Sequence, residues 1–304
     1  MSKRKLLGTY VNGNTIVVLY NDGTKIRYVR EGEVYVPRFP ESIDLKITNM
    51  CNLGCPMCAE QSSPSGKHSD LFGNILLDSL HPYTELAIGG GNPMEHPDLI
   101  PFLHWMRDKK VVCNITVNVD HFIQNKDLLL DLTNRNLIHG IGISVINDVP
   151  FQFFDAIINF PNAVIHTIAG YTPIGTYKML QHYDLNLLIL GYKLKGRGEK
   201  YYYDDRTNVS DKIHWLTDNI QSMRGCFKAI AFDNLAVKQL KLSEFLTTEE
   251  MDKYYMGDDG EFTMYIDLVT NRFAKSSTDE TCEINDTNID VLFNQVQRGV
   301  YKWN

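Results

Sequence analysis

The sequence predicts an α/β protein: a partial (β/α)6 TIM-like barrel, with a small N-terminal β-hairpin unit before it and a C-terminal α+β cap after it. Three observations carry this. Between residues 42 and 192 six short apolar runs alternate with amphipathic stretches, the pattern of a parallel sheet with helices outside it. Near the N-terminus an Asp-Gly pair lies between two β-rich runs, a hairpin signal. After Lys193 the composition turns polar and aromatic, which ends the repeat. The chain therefore divides as residues 1–41, 42–200 and 201–304.

The first unit reads as Gly8–Tyr10 and Thr15–Tyr20, a turn at Asn21-Asp22-Gly23, and Lys25–Val29, with Pro37 and Pro40 separating it from the barrel. Strands are expected at Asp44–Thr48, Glu85–Ile88, Asn114–Asn118, Gly140–Ile146, Ala163–Ile168 and Asn186–Leu190. Helical spacing marks Pro97–Lys110, where Leu99, Phe102, Leu103 and Met106 share one face and Pro97 suits the first turn. Lys126–Asn136 and Val149–Phe160 serve as the next crossovers. The stretch from Lys195 to Asp205 reads as a loop or linker. The last part holds a hairpin from Phe262–Val269 through Thr270-Asn271-Arg272 and a final helix capped by Asp286 and ending near Arg298.

The formal charge of −7 argues against a broad grip on nucleic-acid phosphates. No apolar run reaches membrane-spanning length, and the basic stretch Met1–Leu7 has no signal-peptide core behind it, so a cytoplasmic location is expected. Six cysteines in such a chain do not suggest a disulfide scaffold. Cys51, Cys55 and Cys58 fall within eight residues, and Cys113, Cys226 and Cys282 are scattered. The clustered trio reads as metal binding. Cys-x3-Cys-x2-Cys in one loop can give one thiolate to each of three irons of a cubane, leaving the fourth iron open. Thiolates also suit zinc, for which His68 would be the available fourth ligand.

The segment Leu45-Lys46-Ile47-Thr48-Asn49-Met50-Cys51-Asn52-Leu53-Gly54-Cys55-Pro56-Met57-Cys58 runs off the first barrel strand. It resembles the signature loop of the radical S-adenosylmethionine (radical SAM) superfamily, with Met57 where that family usually has an aromatic residue. The resemblance implies one [4Fe–4S] cluster on the three cysteines, S-adenosylmethionine chelated to the open iron, and an electron donor such as flavodoxin or ferredoxin. It implies oxygen sensitivity as well. Ala87-Ile88-Gly89-Gly90-Gly91-Asn92-Pro93-Met94-Glu95-His96-Pro97-Asp98-Leu99, after the second strand, is similar to the family's Gly-Gly-Glu-Pro stretch, which contacts the methionyl amino group. Gly89, Gly90, Gly91 and Asn92 would then supply backbone contacts, Asn92 standing where glutamate is common. By the same analogy Asn118 and Ser144, at the ends of the third and fourth strands, would contact the carboxylate and ribose. Gly170, after the fifth, would let the adenine approach. His166 in that strand reads as a satisfied structural histidine.

Lys193, Lys195 and Arg197 form the densest cationic cluster and could receive a substrate carboxylate or phosphate. The C-terminal hairpin resembles the SPASM or Twitch extension of peptide-modifying members, without the cysteines for an auxiliary cluster. Cys226 is a candidate catalytic hydrogen-atom donor, or an inert packed cysteine. The substrate expected is a peptide or peptide-like small molecule. The alternatives are a nucleotide or nucleoside, and a cluster-binding protein without turnover.

Overall fold

The computed structural model describes residues 4–147 and 149–299; Met1–Lys3, part of the basic N-terminus, lie outside the described residues. At the start, β1 (Leu6–Asn12), β2 (Thr15–Tyr20) and β3 (Lys25–Tyr28) form an antiparallel sheet in that order. The expected turn is present: Gly23 takes φ +82°, a conformation that needs no side chain, and Asp22 Oδ1 accepts from Thr24 N at 3.1 Å.

The six expected barrel strands are β4 (Ser42–Thr48), β5 (Glu85–Gly90), β6 (Val112–Asn118), β7 (Gly140–Ser144), β8 (Ala163–Ile168) and β9 (Asn186–Leu190), parallel neighbours in chain order. The sheet does not stop there. β10 (Ala229–Phe232) adds in parallel to β9, and β11 (Thr263–Asp267) adds in parallel to β4 on the other side. β12 (Arg272–Ala274) and β13 (Cys282–Glu283) continue it antiparallel, the first closing the expected hairpin with β11. Both edges of the main sheet thus come from beyond residue 200.

Helices α1 (Leu99–Asp108), α2 (Val119–Asn134), α3 (Phe151–Ile157) and α4 (Ile174–Leu180) cover its outer side. α2 begins seven residues before the expected Lys126, because Asn118 caps it: Asn118 Oδ1 accepts from Asp120 N at 3.0 Å. The stretch expected as a linker is instead mostly α5 (Arg197–Asp204), and α6 (Arg206–Met223) follows it directly. α7 (Asn234–Gln239) and α8 (Thr248–Tyr254) follow. α9 (Ile289–Arg298) is capped by Asn288, not Asp286, whose carboxylate accepts from the Asn288 amide.

Alternation along the strands sorts the residues into two environments. Ile43, Leu45 and Ile47 of β4 are buried in the core shared with Leu103 of α1 and Phe122 of α2. Asp44 and Lys46 face the other way, and with Thr116, His166, Leu188 and Tyr265 they line one cavity of about 630 Å³. Residues of β4 through β9 and β11 all reach that cavity, so the sheet curls into an open barrel around it. The seam between β10 and β11 is bridged by Asn234 Nδ2, which donates to Gly257 O at 3.2 Å and Asp259 Oδ1 at 2.8 Å. At the N-terminal ends of the strands the β2–β3 turn lines the cavity, and Asn162 Nδ2 donates to Asn21 O at 3.1 Å.

Candidate functional site: a thiol loop at the barrel mouth

Active residues of βα barrels gather at the carboxyl ends of the strands, and the thiol loop leaves the carboxyl end of β4. It folds back on itself: Asn49 N donates to Lys67 O at 2.8 Å and Cys51 N to Ser63 O at 3.0 Å. Gly66 permits this return, since a Cβ there would meet Asn49 O at 1.9 Å. Cys58 N donates to Cys55 O at 3.2 Å, which closes the turn carrying the second and third thiols.

Arg197, at the start of α5, pins the loop from the opposite side. Its Nε donates to Cys55 O at 2.9 Å, its Nη1 to Ser62 O at 2.9 Å, and its backbone amide to Cys58 O at 3.1 Å. The thiols feel one another and this cation. Burial pushes Cys55 up to about 11, and the neighbouring Cys58 and Cys51 push in the same direction, while Arg197 opposes them. Burial raises Cys51 as well, helped by Cys58 and Glu95 and opposed by the Leu53 amide and Arg197. Three thiols thus share one electrostatic environment, in which thiolates need positive charge beside them.

The glycine run packs against this loop. Gly91 N donates to Thr48 O at 2.8 Å and Asn92 N to Met50 O at 2.6 Å. Gly90 takes φ +111°, and a Cβ on it would lie 2.3 Å from Thr48 O; one on Gly91 would lie 2.1 Å from Met50 O. These two glycines let two chain segments touch. Gly89 alone of the three is open, with nothing within 4 Å of its Cβ position, and it lines the cavity. Asn92 is buried and its side chain is spoken for: Oδ1 accepts from Met94 N at 3.2 Å and Nδ2 donates to Glu95 Oε1 at 3.0 Å.

Asn118 and Ser144 are register partners at the carboxyl ends of β6 and β7, on the same side as the thiols. The Asn118 side chain caps α2, whose first turn is tied to the loop by His121 Nε2, 3.0 Å from Asn52 Oδ1. Gly170 packs closely against a helix. It takes φ +79°, and its Cβ position lies 2.8 Å from Val209 Cγ1 of α6. The helix that occupies this space follows directly on the stretch read as linker.

Three other expectations are corrected. Cys226 precedes β10, which runs parallel to β9 with Ala229 opposite Asn186, so it sits at the N-terminal end of the barrel. The thiol loop is at the other end. Cys226 packs against the core, donates weakly to Ser222 O at 3.6 Å, and does not line the cavity, so the structure gives it no place as a hydrogen donor. The cationic cluster is already engaged: besides Arg197, Lys193 Nζ donates to Ser277 Oγ at 2.7 Å and Lys195 Nζ to Ser277 O at 3.1 Å. His68 Nδ1 lies 2.9 Å from Thr48 Oγ1, with its ring edge-on to His96, so its ring already has partners other than the thiols.

Sequence reasoning missed Glu95 and the tyrosines. Glu95 is held by Asn92 and adds to the field at Cys51; the available signal was a carboxylate four residues past the glycine run. Tyr171 and Tyr192 form a small apolar cluster with partly buried Cys55, Met57, Tyr201 and Tyr202, a wall beside the loop. Their only sequence signal was the aromatic density after Tyr192.

Fold and site together define an open-barrel α/β protein with a thiol-bearing loop at the mouth and a cavity beneath it. No protein-family model and no curated protein matches the chain. Its fold is similar to that of Streptococcus suis SuiB. The crystal structure of SuiB bound to S-adenosylmethionine matches with TM-score 0.50 and 13% identity, over 88% of this chain and 69% of that one. SuiB bound to precursor peptide SuiA matches with TM-score 0.50 and 14% identity, over 88% and 68%. At such identity the likeness is one of fold. Among the described residues no helix is long and apolar enough to cross a membrane.

Proposed function

We propose that this chain is a radical SAM enzyme acting on a peptide or peptide-like substrate, with Cys51, Cys55 and Cys58 as ligands of one [4Fe–4S] cluster. The observation that carries the reading is the thiol loop itself: three cysteines on one pinned loop at the mouth of this barrel, close enough that Cys51 and Cys58 both raise Cys55. Among the described residues no three His, Cys, Asp or Glu side chains form the ligand set of a single metal ion. A cubane asks for something else, one thiolate on each of three irons, and the donor set suits it.

Cys51, Cys55 and Cys58 would hold the cluster, which would pass one electron from a donor such as flavodoxin or ferredoxin to S-adenosylmethionine, giving methionine and a 5′-deoxyadenosyl radical that would take a hydrogen atom from the substrate. The protein's own work is placement and exclusion of water. Arg197 fixes the loop backbone and offsets thiolate charge. Gly89 leaves its backbone open toward the cavity, and Gly90, Gly91 and Asn92 hold that segment against the loop. Asn118 and Ser144 supply polar groups at the adjacent strand ends. The cavity beneath would receive the reacting part of the substrate. That SuiB has been seen with a precursor peptide supports the peptide class. Of the cations the nucleotide alternative relied on, Arg197 is spent on the thiol loop, and Lys193 and Lys195 each donate to Ser277.

Anaerobic reconstitution with iron and sulfide tests this. The wild-type protein is expected to bind about four irons and to form 5′-deoxyadenosine from S-adenosylmethionine and dithionite. Cys55→Ala should lose both. A wild-type protein that takes up neither iron nor sulfide overturns the reading.

A further inference from the structure

The N-terminal sheet carries apolar residues on both of its faces. On the inner face Val17 and Leu19 of β2 are fully buried, and Lys25 of β3 meets Glu85 of β5 at 2.6 Å. These contacts fix the unit against the barrel. A sheet with one packed face is expected to alternate, apolar inside and polar toward water. Here the outer face is apolar too. Register pairs Val11 with Ile16 and Ile16 with Tyr28, so these three form one row across all three strands. Val18 opposite Ile26 adds a second row beside it.

The segment after β3 widens this face. Asn14, in the β1–β2 turn, ties it down: its Nδ2 donates to Val34 O at 2.9 Å and its Oδ1 accepts from Val36 N at 2.9 Å. Val11, Ile16, Tyr28, Val34 and Val36 are between 48% and 78% exposed. Charged residues stand at the two ends of the face. Arg30 pairs with Glu33 beside the Asn14 turn, and Arg4 pairs with Asp22 at the β2–β3 turn. An apolar centre inside a charged rim is the anatomy of a protein interface.

Area and shape indicate the occupant. Those five residues together expose roughly 500–600 Å², at the upper end of what a lone soluble chain leaves in one patch. With its rim the face approaches about 800 Å², one partner's share of a standard interface. The barrel cavity does not reach Val11, Ile16 or Tyr28, so the face is an open sheet and not part of that recess. An open apolar sheet is well covered by another sheet stacked about 10 Å away. A second copy of this chain supplies one of the same size. We propose that two copies associate through the outer faces of β1–β3 about a two-fold axis, each burying the other's Val11–Ile16–Tyr28 row. The unit sits at the N-terminal ends of the barrel strands, opposite the thiol loop, so association there leaves both mouths open. It stands apart from the radical reading.

Light scattering during size exclusion, with sedimentation velocity, measures this on the full reduced chain from about 1 to about 100 µM. The mass is expected to rise from one chain to two, with a melting temperature that climbs with concentration. Ile16→Glu and Tyr28→Glu each put a charge in the apolar row and should weaken association at least about tenfold. Both side chains are exposed, so the circular dichroism spectrum should not change. Ile158→Glu, at another exposed apolar residue just after α3, should leave the dimer intact. A wild-type chain that stays monomeric to about 100 µM overturns the proposal and leaves the face to a different partner. A dimer that survives both glutamates overturns it as well, and so does one that Ile158→Glu disrupts as fully as Ile16→Glu.

Discussion

The two faces of the barrel strands do different work. On the outer face Ile43, Leu45, Ile47, Leu86, Ile88 and Ile143 are all at most 1% exposed and belong to one core with the helices. On the inner face the same strands present Asp44, Lys46, Asn114, Thr116 and His166 to a cavity. A parallel sheet covered on both sides reads as continuous apolar runs. Here Ile-Asp-Leu-Lys-Ile-Thr alternates, because only one side is packed by helices. The difference teaches that stability and chemistry are separated by one residue of register, and a one-residue slip would exchange them.

The sharpest test of the outer face is Leu45→Ala, which should cost about 2–5 kcal/mol, read as a lowered denaturant midpoint. Lys46→Met blurs the comparison, since Lys46 faces inward yet is structural. It leaves Glu60 and Asp267 facing each other, and a loss of about 3 kcal/mol is expected, at the lower end for a broken buried pair because Glu60 keeps some exposure. Arg197→Ala should leave the fold melting within a few degrees while iron bound per chain falls severalfold. Arg197→Lys should not restore it, because one ammonium cannot reproduce the fork that reaches both Cys55 O and Ser62 O.

The smallest effect expected is a pH dependence. His166 titrates near 6.5 when unfolded and about 4 in the fold, so between those values the unfolded chain holds more protons. Stability therefore falls as pH drops from about 6.5 to about 4. His96, His121 and His139 are lowered by burial too and add to this slope. His166→Gln should flatten part of it, seen as a smaller difference in melting temperature between about pH 7 and about pH 4.5. An unchanged slope would mean that the imidazole is solvated in the bore.

Much of this fold was legible in the chain. Six strands, the Asp22-Gly23 turn and the β11–β12 hairpin follow from alternation and turn chemistry. β10 did not stand out: Ala229–Phe232 is only four residues long, and none of them is fully buried. α5 and the first turns of α6 are strongly polar, so their helical form rests on contacts such as Val209 against Gly170 that no local pattern announces. Asn118 was read for a ligand when its nearest task is to cap a helix.

The sequence by itself determined the spacing of Cys51, Cys55 and Cys58, the strand that delivers them, and the placement of a glycine run after the next strand. These are local properties, set by residue type and periodicity. Only the tertiary structure decided how the charges are paired. Lys46 finds Asp267, Lys193 finds Ser277 and Arg197 finds Cys55 across 221, 84 and 142 residues of chain. Such partners depend on strand order and on the path of the returning loops. Asp44 meets the charge of Lys193 in the cavity for the same reason, across a span of chain that no local pattern links.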